Sequence, residues 1–323
     1  MTTAVAVNKN QRPFVMRKGI STLSDLADGF AANIGVGNVY YVVQTTNTSV
    51  YNWLIQYQRQ YADGSNMIQT SIASALSATV ECRNDYVIVW PDNSDYDITA
   101  ALALNKKSVH LLAPGGLGYD RGATNAVRIE QTTASTAVFA ISDASVEIAG
   151  FYVKPYLGRE HVTLAATSYA PNIHHNTFVL KWTTSNQPSI VASDDGGAWG
   201  SVAEHNWFVS QAGDDQTCAS VVSVAAPATA ARVSYNDFFI GDGNTATTVI
   251  SNLATKGTVN YNNFQLAASD GTITHAITVG SWGSAVGNRA CVADGEIMTG
   301  GTVDISFVDN MNAANGGTID DAD

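Results

Sequence analysis

The segment Ile173-His174-His175-Asn176-Thr177-Phe178 returns downstream as Ala203-Glu204-His205-Asn206-Trp207-Phe208, Val233-Ser234-Tyr235-Asn236-Asp237-Phe238 and Val259-Asn260-Tyr261-Asn262-Asn263-Phe264. The template is a small or branched apolar residue, any residue, His or Tyr, Asn, any residue, Phe. Successive asparagines are 30, 30 and 26 residues apart, and a further step of 26 reaches Asn288, whose neighbours no longer fit. Upstream, Val146-Glu147-Ile148-Ala149-Gly150-Phe151 sets a Phe 27 residues before Phe178, with Gly where the Asn would be. A fixed period of this size signals a repeat architecture, and the content of the repeat selects which one.

Apolar residues alternate with period two inside the repeat, Ser, Thr, Val and Ala dominate, and helix formers are scarce, which is strand chemistry. Helical repeats need two helices per unit and leucine-rich repeats need a leucine ladder; neither is present. The fold class expected is all-β, a right-handed parallel β-helix in which each coil stacks on the next at about 4.8 Å. Asn176, Asn206, Asn236 and Asn262 are expected to form a corner ladder of amide hydrogen bonds, tolerating the left-handed backbone of a tight turn. Phe178, Phe208, Phe238 and Phe264 should stack inward, with the His and Tyr of the template stacking likewise. His174 is read as an outward, solvated residue. From about residue 86 to 310, at roughly 28 residues per coil, some eight coils and a length of about 40 Å follow.

Ahead of the coils, Asn66 and Gln69 resemble a capping box, and Ile68, Ile72, Leu76 and Val80 mark one face of a helix of about four turns. Laid across the first coil, this helix would cover the open sheet edge. Residues 1–65 are read as an N-terminal arm and attachment region, residues 66–315 as the capped β-helix, and residues 316–323 as an acidic tail. The arm carries Lys9, Arg12, Arg17 and Lys18 before the first acid, Asp25, and contains no regular periodicity. These four cations are the candidate attachment residues.

The 323 residues are 45% apolar and 14% charged, enough to bury a large core and too apolar for disorder. A formal charge of -12 repels phosphate backbones, so a nucleic-acid partner is not expected. No apolar run approaches the roughly 18 residues of a membrane helix, and residues 1–19 lack the apolar stretch of a secretory signal, so assembly in the cytoplasm without a membrane is expected. Cys82, Cys218 and Cys291 are far apart and odd in number, which suggests packed thiols rather than a disulfide framework or a zinc site. No metal or cofactor is expected.

The sequence resembles viral β-helix proteins of the pectin-lyase-like superfamily, carried on phage particles as head decorations, fibres or tailspikes. The residues bearing the resemblance are Val39-Tyr40-Tyr41-Val42, Ile68-Gln69-Thr70-Ser71-Ile72 with Ala75-Leu76, Tyr86-Val87-Ile88-Val89-Trp90-Pro91, Val109-His110-Leu111-Leu112 and the Asn-x-Phe coils, across residues 38–310. It implies a homotrimer, attached to a capsid or other virion protein through its N-terminal segment.

Many β-helices are polysaccharide lyases or hydrolases, and hydrolysis requires two carboxylates about 5 to 9.5 Å apart. Glu204 and Asp237 flank the ladder at outward positions on neighbouring coils and, with Arg232, are the candidates for such chemistry; Asp194-Asp195 and Asp214-Asp215 are further acidic pairs. Of the four pectin-hydrolase patterns, only an Asp-Asp dipeptide occurs, and no calcium-binding acidic cluster surrounds Arg232 or Arg289. Gly116-x-Gly118 and Gly241-x-Gly243 read as turns, since neither opens a helix nor carries a lysine. Trp182, Trp199, Trp207 and Trp282 read as packing or subunit-interface residues rather than a sugar platform. The function expected is a non-enzymatic virion protein, most simply a capsid decoration protein; the alternatives are a tailspike-like depolymerase and a glycan-binding β-helix.

Overall fold

A computed structural model describes residues 37–92, 94–113, 126–134, 137–181, 188–192, 200–210, 217–225, 228–241, 243–266, 272–290, 298–300, 306–308 and 310–312. Lys9, Arg12, Arg17, Lys18 and the tail 316–323 lie outside these residues.

The solenoid expected from the repeat is present. Three parallel sheets of eleven, nine and eight strands run along one axis. Each coil contributes one strand to each sheet in turn, beginning with β3 (Asp85–Val89), β4 (Tyr96–Ile98) and β5 (Leu102–Leu104). Seven more three-strand coils follow, and two strands of a ninth end at Asn312. Inward positions alternate with outward ones, so Val87, Leu111, Ile148, Ile173, Val233 and Val259 line one wall of a single continuous core.

The asparagine ladder is longer than the repeat suggested. In Asn176, Asn206, Asn236, Asn262 and Asn288, the backbone N–H donates to the side-chain Oδ1 of the asparagine one coil on, at 2.9 to 3.0 Å, and Nδ2 donates to the same oxygen. Nδ2 also donates backward to a carbonyl of the preceding coil, as from Asn206 to Ile173 at 2.9 Å. Asn310 closes the series, 22 residues after Asn288. Parallel to it run Phe178, Phe208, Phe238 and Phe264, fully buried, with ring centroids 5.2, 4.6 and 5.2 Å apart.

Three details of the repeat differ from the sequence reading. The left-handed residue is the one before the asparagine: His175, His205, Tyr235 and Tyr261 have φ of 53, 52, 57 and 56°. Placed there, the side chains leave the core, so the His and Tyr rings stack on the outside instead of inward. Secondly, Gly150 matches this left-handed corner, not the Asn. Val153 pairs with Phe178, and the Phe151 N–H donates to Asn176 Oδ1, so Phe151 occupies the position the asparagine holds in later coils. Thirdly, the continuing corner at Asn288 has Gly287 before it and Ala290 where Phe would stand, which hid it from the template.

The cap also differs. Ile68 and Gln69 form a short strand, β2, paired with β1 (Val39–Val42), while β1 pairs with β3. The first sheet therefore begins at residue 39, inside the segment read as arm and attachment region. The capping helix spans only Ile72–Ala78, with Ser71 Oγ accepting from the Ser74 N–H at 3.1 Å. Ser71, not Asn66, is the cap, and Val80 is exposed. Ile72, Ala75 and Leu76 seal the core at the first coil, and Lys106 Nζ binds the carbonyls of Leu76, Ser77 and Thr79 at the helix end, at 3.1, 2.7 and 2.6 Å. A second helix, Thr48–Ile55, packs Leu54 on the outer face of the first sheet with Val39, Tyr41, Val43, Met67 and Ile68.

Three substitutions test the corner and the core. Phe208→Ala should cost about 3 to 5 kcal/mol, and Asn206→Ala about 1 to 3 kcal/mol, because it takes the acceptor from the buried Asn176 N–H and the Nδ2 bond from the Ile173 carbonyl. Gly150→Ala should be worse than either, since its Cβ would sit 2.3 Å from the Ala113 carbonyl oxygen at a φ of +87°. Equilibrium urea unfolding checks all three; a neutral Asn206→Ala would mean that the ladder carries no stability.

Candidate functional site

The richest cluster of titratable groups lies on the outer face of the first sheet. There Tyr86, His110 and Glu147 occupy one register position on three successive coils, and His174 and Glu204 occupy the position two residues on. Period-two alternation puts all of them outward. Glu147 lies between two imidazoles: Oε2 is 2.5 Å from His110 Nδ1 and Oε1 is 2.8 Å from His174 Nε2. These two bonds hold its carboxyl down at about 2, against the desolvation that would raise it. Glu147 is therefore a carboxylate at neutral pH, with both oxygens engaged, and is unsuited to donating a proton.

From His174 the cluster continues along the corner. His174 Nδ1 lies 2.8 Å from His175 Nδ1, and the rings of His175, His205, Tyr235 and Tyr261 stack at 5.1, 4.9 and 5.1 Å. The rings lie within 18° of parallel and face one another along the axis, so it is their edges that meet solvent.

The carboxylates singled out in the sequence are not brought together. Glu204 Oε1 is 2.5 Å from Arg232 Nε on the first sheet. Asp237 lies on the second sheet, beyond the asparagine corner, where it accepts from Asn263 Nδ2 at 3.0 Å. Arg232 thus pairs with Glu204 and has no part at Asp237. Trp207 is buried on the second sheet, whereas Trp282 is exposed at the turn between the third and first sheets, and these two form no common platform. Asp194, Asp195, Asp214, Asp215, Trp182, Trp199, Cys291 and the Gly116-x-Gly118 turn lie outside the described residues. Gly241 is in a turn whose N–H is taken by Ser210 Oγ at 2.8 Å. Cys82 is exposed, and burial pushes the Cys218 thiol up to about 12.

A second charged group sits on the outer face of the second sheet, where Asp95 binds Arg128 and Lys154, and Glu130 binds Lys154 and Lys181. Beside it, a crevice of about 380 Å³ opens between the N-terminal end of the capping helix and the first coil, lined by Thr46, Ser71, Asp97, Thr99 and neighbours. Among the described residues no group of three His, Cys, Asp or Glu side chains is placed to hold a metal ion, and no helix is long and apolar enough to cross a membrane.

The His110–Glu147–His174 contact was not foreseen from the repeat. Glu147 and His174 are separated by 27 residues, and the strand register sets Ala149, not Glu147, against His174, so that the two side chains meet diagonally. The signal available was parity, since each is outward in its own strand.

No protein-family model matches the chain, and no curated protein does. Among solved structures it is similar to ORF18 of Geobacillus virus E2, with 11% identity, a TM-score of 0.30, and coverage of 75% of this chain. The chain spans 56% of that protein.

One buried group sets the acid limit of the fold. His161 is enclosed, its Nε2–H donating to the Val179 carbonyl at 2.9 Å and its Nδ1 accepting from Ser189 Oγ at 2.7 Å, and desolvation pushes it from 6.5 down to about 3. Between those values the unfolded chain binds the proton and the folded chain does not, so this stability is complete above pH 6.5 and is lost as the pH falls toward 3. Glu147, lowered from 4.5 to about 2, adds a loss of the same sign below pH 4.5. The thermal midpoint should be flat from pH 8 to 7 and fall below 6.5, and His161→Gln should flatten most of the upper part of that fall. An unchanged slope in the variant would show that His161 is not its source.

Proposed function

We propose that the chain is a non-enzymatic structural protein of a phage particle, a stiff β-solenoid attached through its N-terminal region, with the capsid surface as its place and a homotrimer as its assembly. The observation that carries this reading is the placement of Glu204 and Asp237. Glycoside hydrolysis needs two carboxylates flanking the scissile bond. Here one is held by Arg232 and the other by Asn263, on different sheets.

The direction of the chain supports attachment at one end. Gly37 donates to the Asn84 carbonyl beside the cap, so residues 1–36 join the solenoid there, and the coils extend away from that end. A basic arm on a body of net negative charge suits an acidic groove on a particle. The resemblance to phage β-helix proteins points the same way.

Purified protein added to particles that lack it should attach, while protein without residues 1–20 should remain folded and fail to attach. Attachment should weaken as salt rises if the arm's cations contribute to it, because salt screens charge attraction. The double variant Glu204→Gln, Asp237→Asn should attach as the wild type does, and neither protein should release reducing or unsaturated sugars from host capsule or lipopolysaccharide. Sugar release abolished by the double variant would identify a depolymerase instead.

A further inference from the structure

Four histidines and a glutamate form one line across four coils on the outer face of the first sheet. At its start Asn84 Oδ1 lies 2.7 Å from His110 Nε2, while the same side chain hydrogen-bonds Tyr86. His110 Nδ1 faces Glu147 Oε2. Both ring nitrogens meet oxygens, and the ring is stacked on Tyr86 with centroids 4.2 Å apart and planes at 12°. Glu147 accepts on its other oxygen from His174 Nε2. His174 is left with Nδ1, 2.8 Å from His175 Nδ1, and between those two nitrogens only one proton fits. With that proton on His175, His175 donates and His174 accepts. His205 closes the line by stacking on His175.

We propose that this line is a pH-operated latch: with one proton between His174 and His175 it ties the first four coils together, and a second proton parts the pair and loosens the capped half of the solenoid. Doubly protonated, the pair would set two N–H groups and two like charges against each other at hydrogen-bond distance. The charged groups facing it give little relief. Glu147, from the coil before, is shared with His110; Glu204, in register with His174 on the coil after, is turned to Arg232; and His205 is a further imidazole. Burial, His174 and His205 all hold His175 below its ordinary 6.5, so the folded chain binds fewer protons than the unfolded one and the latch weakens as pH falls below that value. The location gives the latch its effect. Among the described residues the asparagine ladder starts at Asn176, which reaches back to the Phe151 N–H and the Ile148 carbonyl of the coil before, whereas each of the next five coils adds an asparagine of its own. The latch does not depend on where the protein is assembled.

Amide hydrogen exchange of the full chain at pH 7.5 and 5.5, corrected for intrinsic rates, tests it. Strands Glu147–Ala149 and Asn172–His174 should lose about tenfold in protection at the lower pH relative to Thr258–Asn260, which lies within the ladder. His175→Phe retains the stack, places at this corner an aromatic ring of the kind Tyr235 and Tyr261 carry at theirs, and should abolish the loss. Nitrogen-15 spectra of the wild-type rings give an independent reading, with His175 protonated on Nδ1 at pH 7.5. An equal loss in wild type and variant, no loss in the wild type, or a His175 ring protonated only on Nε2 would each overturn the latch.

Discussion

Where a coil passes from the first sheet to the second, the backbone turns so tightly that one amide N–H points along the solenoid axis and finds no strand partner. A buried N–H left in that state costs about 1 to 3 kcal/mol, and a solenoid repeats the debt at every coil. The asparagine ladder removes it: each Oδ1 receives the N–H from the coil before and the Nδ2 of the same residue, and each Nδ2 returns to a backbone carbonyl. The rest of the body depends on this register. Once the corner is pinned, the residue two positions on must point inward, and it is a phenylalanine in four successive coils; the residue before must take a left-handed backbone, and its side chain must leave the core.

That left-handed position is expensive for a residue with a Cβ, roughly 1 kcal/mol or more. Glycine would be the simple solution and is used at Gly150 and Gly287, the two ends of the described series. Between them the chain spends the position on His and Tyr. Their backbone N–H groups bond to the next coil, from Tyr235 to Asn260 at 3.0 Å and from Tyr261 to Val286 at 2.9 Å, and their rings stack outside at nearly the coil spacing. Strain in the backbone is thus offset by bonds and ring contacts that exist only because neighbouring coils carry the same kind of residue. The turn from the third sheet back to the first follows the same rule, with left-handed Ser108, Ser145, Ala170, Ala230, Lys256 and Trp282.

The repeat was legible because four coils obey every element of the template, and the number of coils followed from its period. What escaped notice did so for identifiable reasons. Asn288 and Asn310 lost their phenylalanine, so only their hydrogen bonds identify them. Phe151 mimicked the template two residues out of phase, a displacement that preserves period-two alternation and so leaves no trace in the hydrophobic pattern. The helix at Thr48–Ile55 and the brevity of the capping helix are decided by packing on the first sheet, which local propensity does not report. The His–Glu cluster depends on the register between the first template coil, which carries His174, and two coils ahead of it that depart from the template. Glu204 and Asp237 were correctly placed on neighbouring coils, but the asparagine corner between them, which sequence spacing cannot show, puts them on different faces.

The ladder also makes length a quantised property of this molecule. Asn206 and Asn236 occupy the same corner and present the same groups above and below, so excising residues 206–235 would bring Asn236 directly onto Asn176 with each amide again complete. Duplication of the same stretch would insert an equivalent rung. A rod built in this way can be shortened or extended in whole steps of about 4.8 Å without redesigning either end, much as a ruler is cut at its graduations.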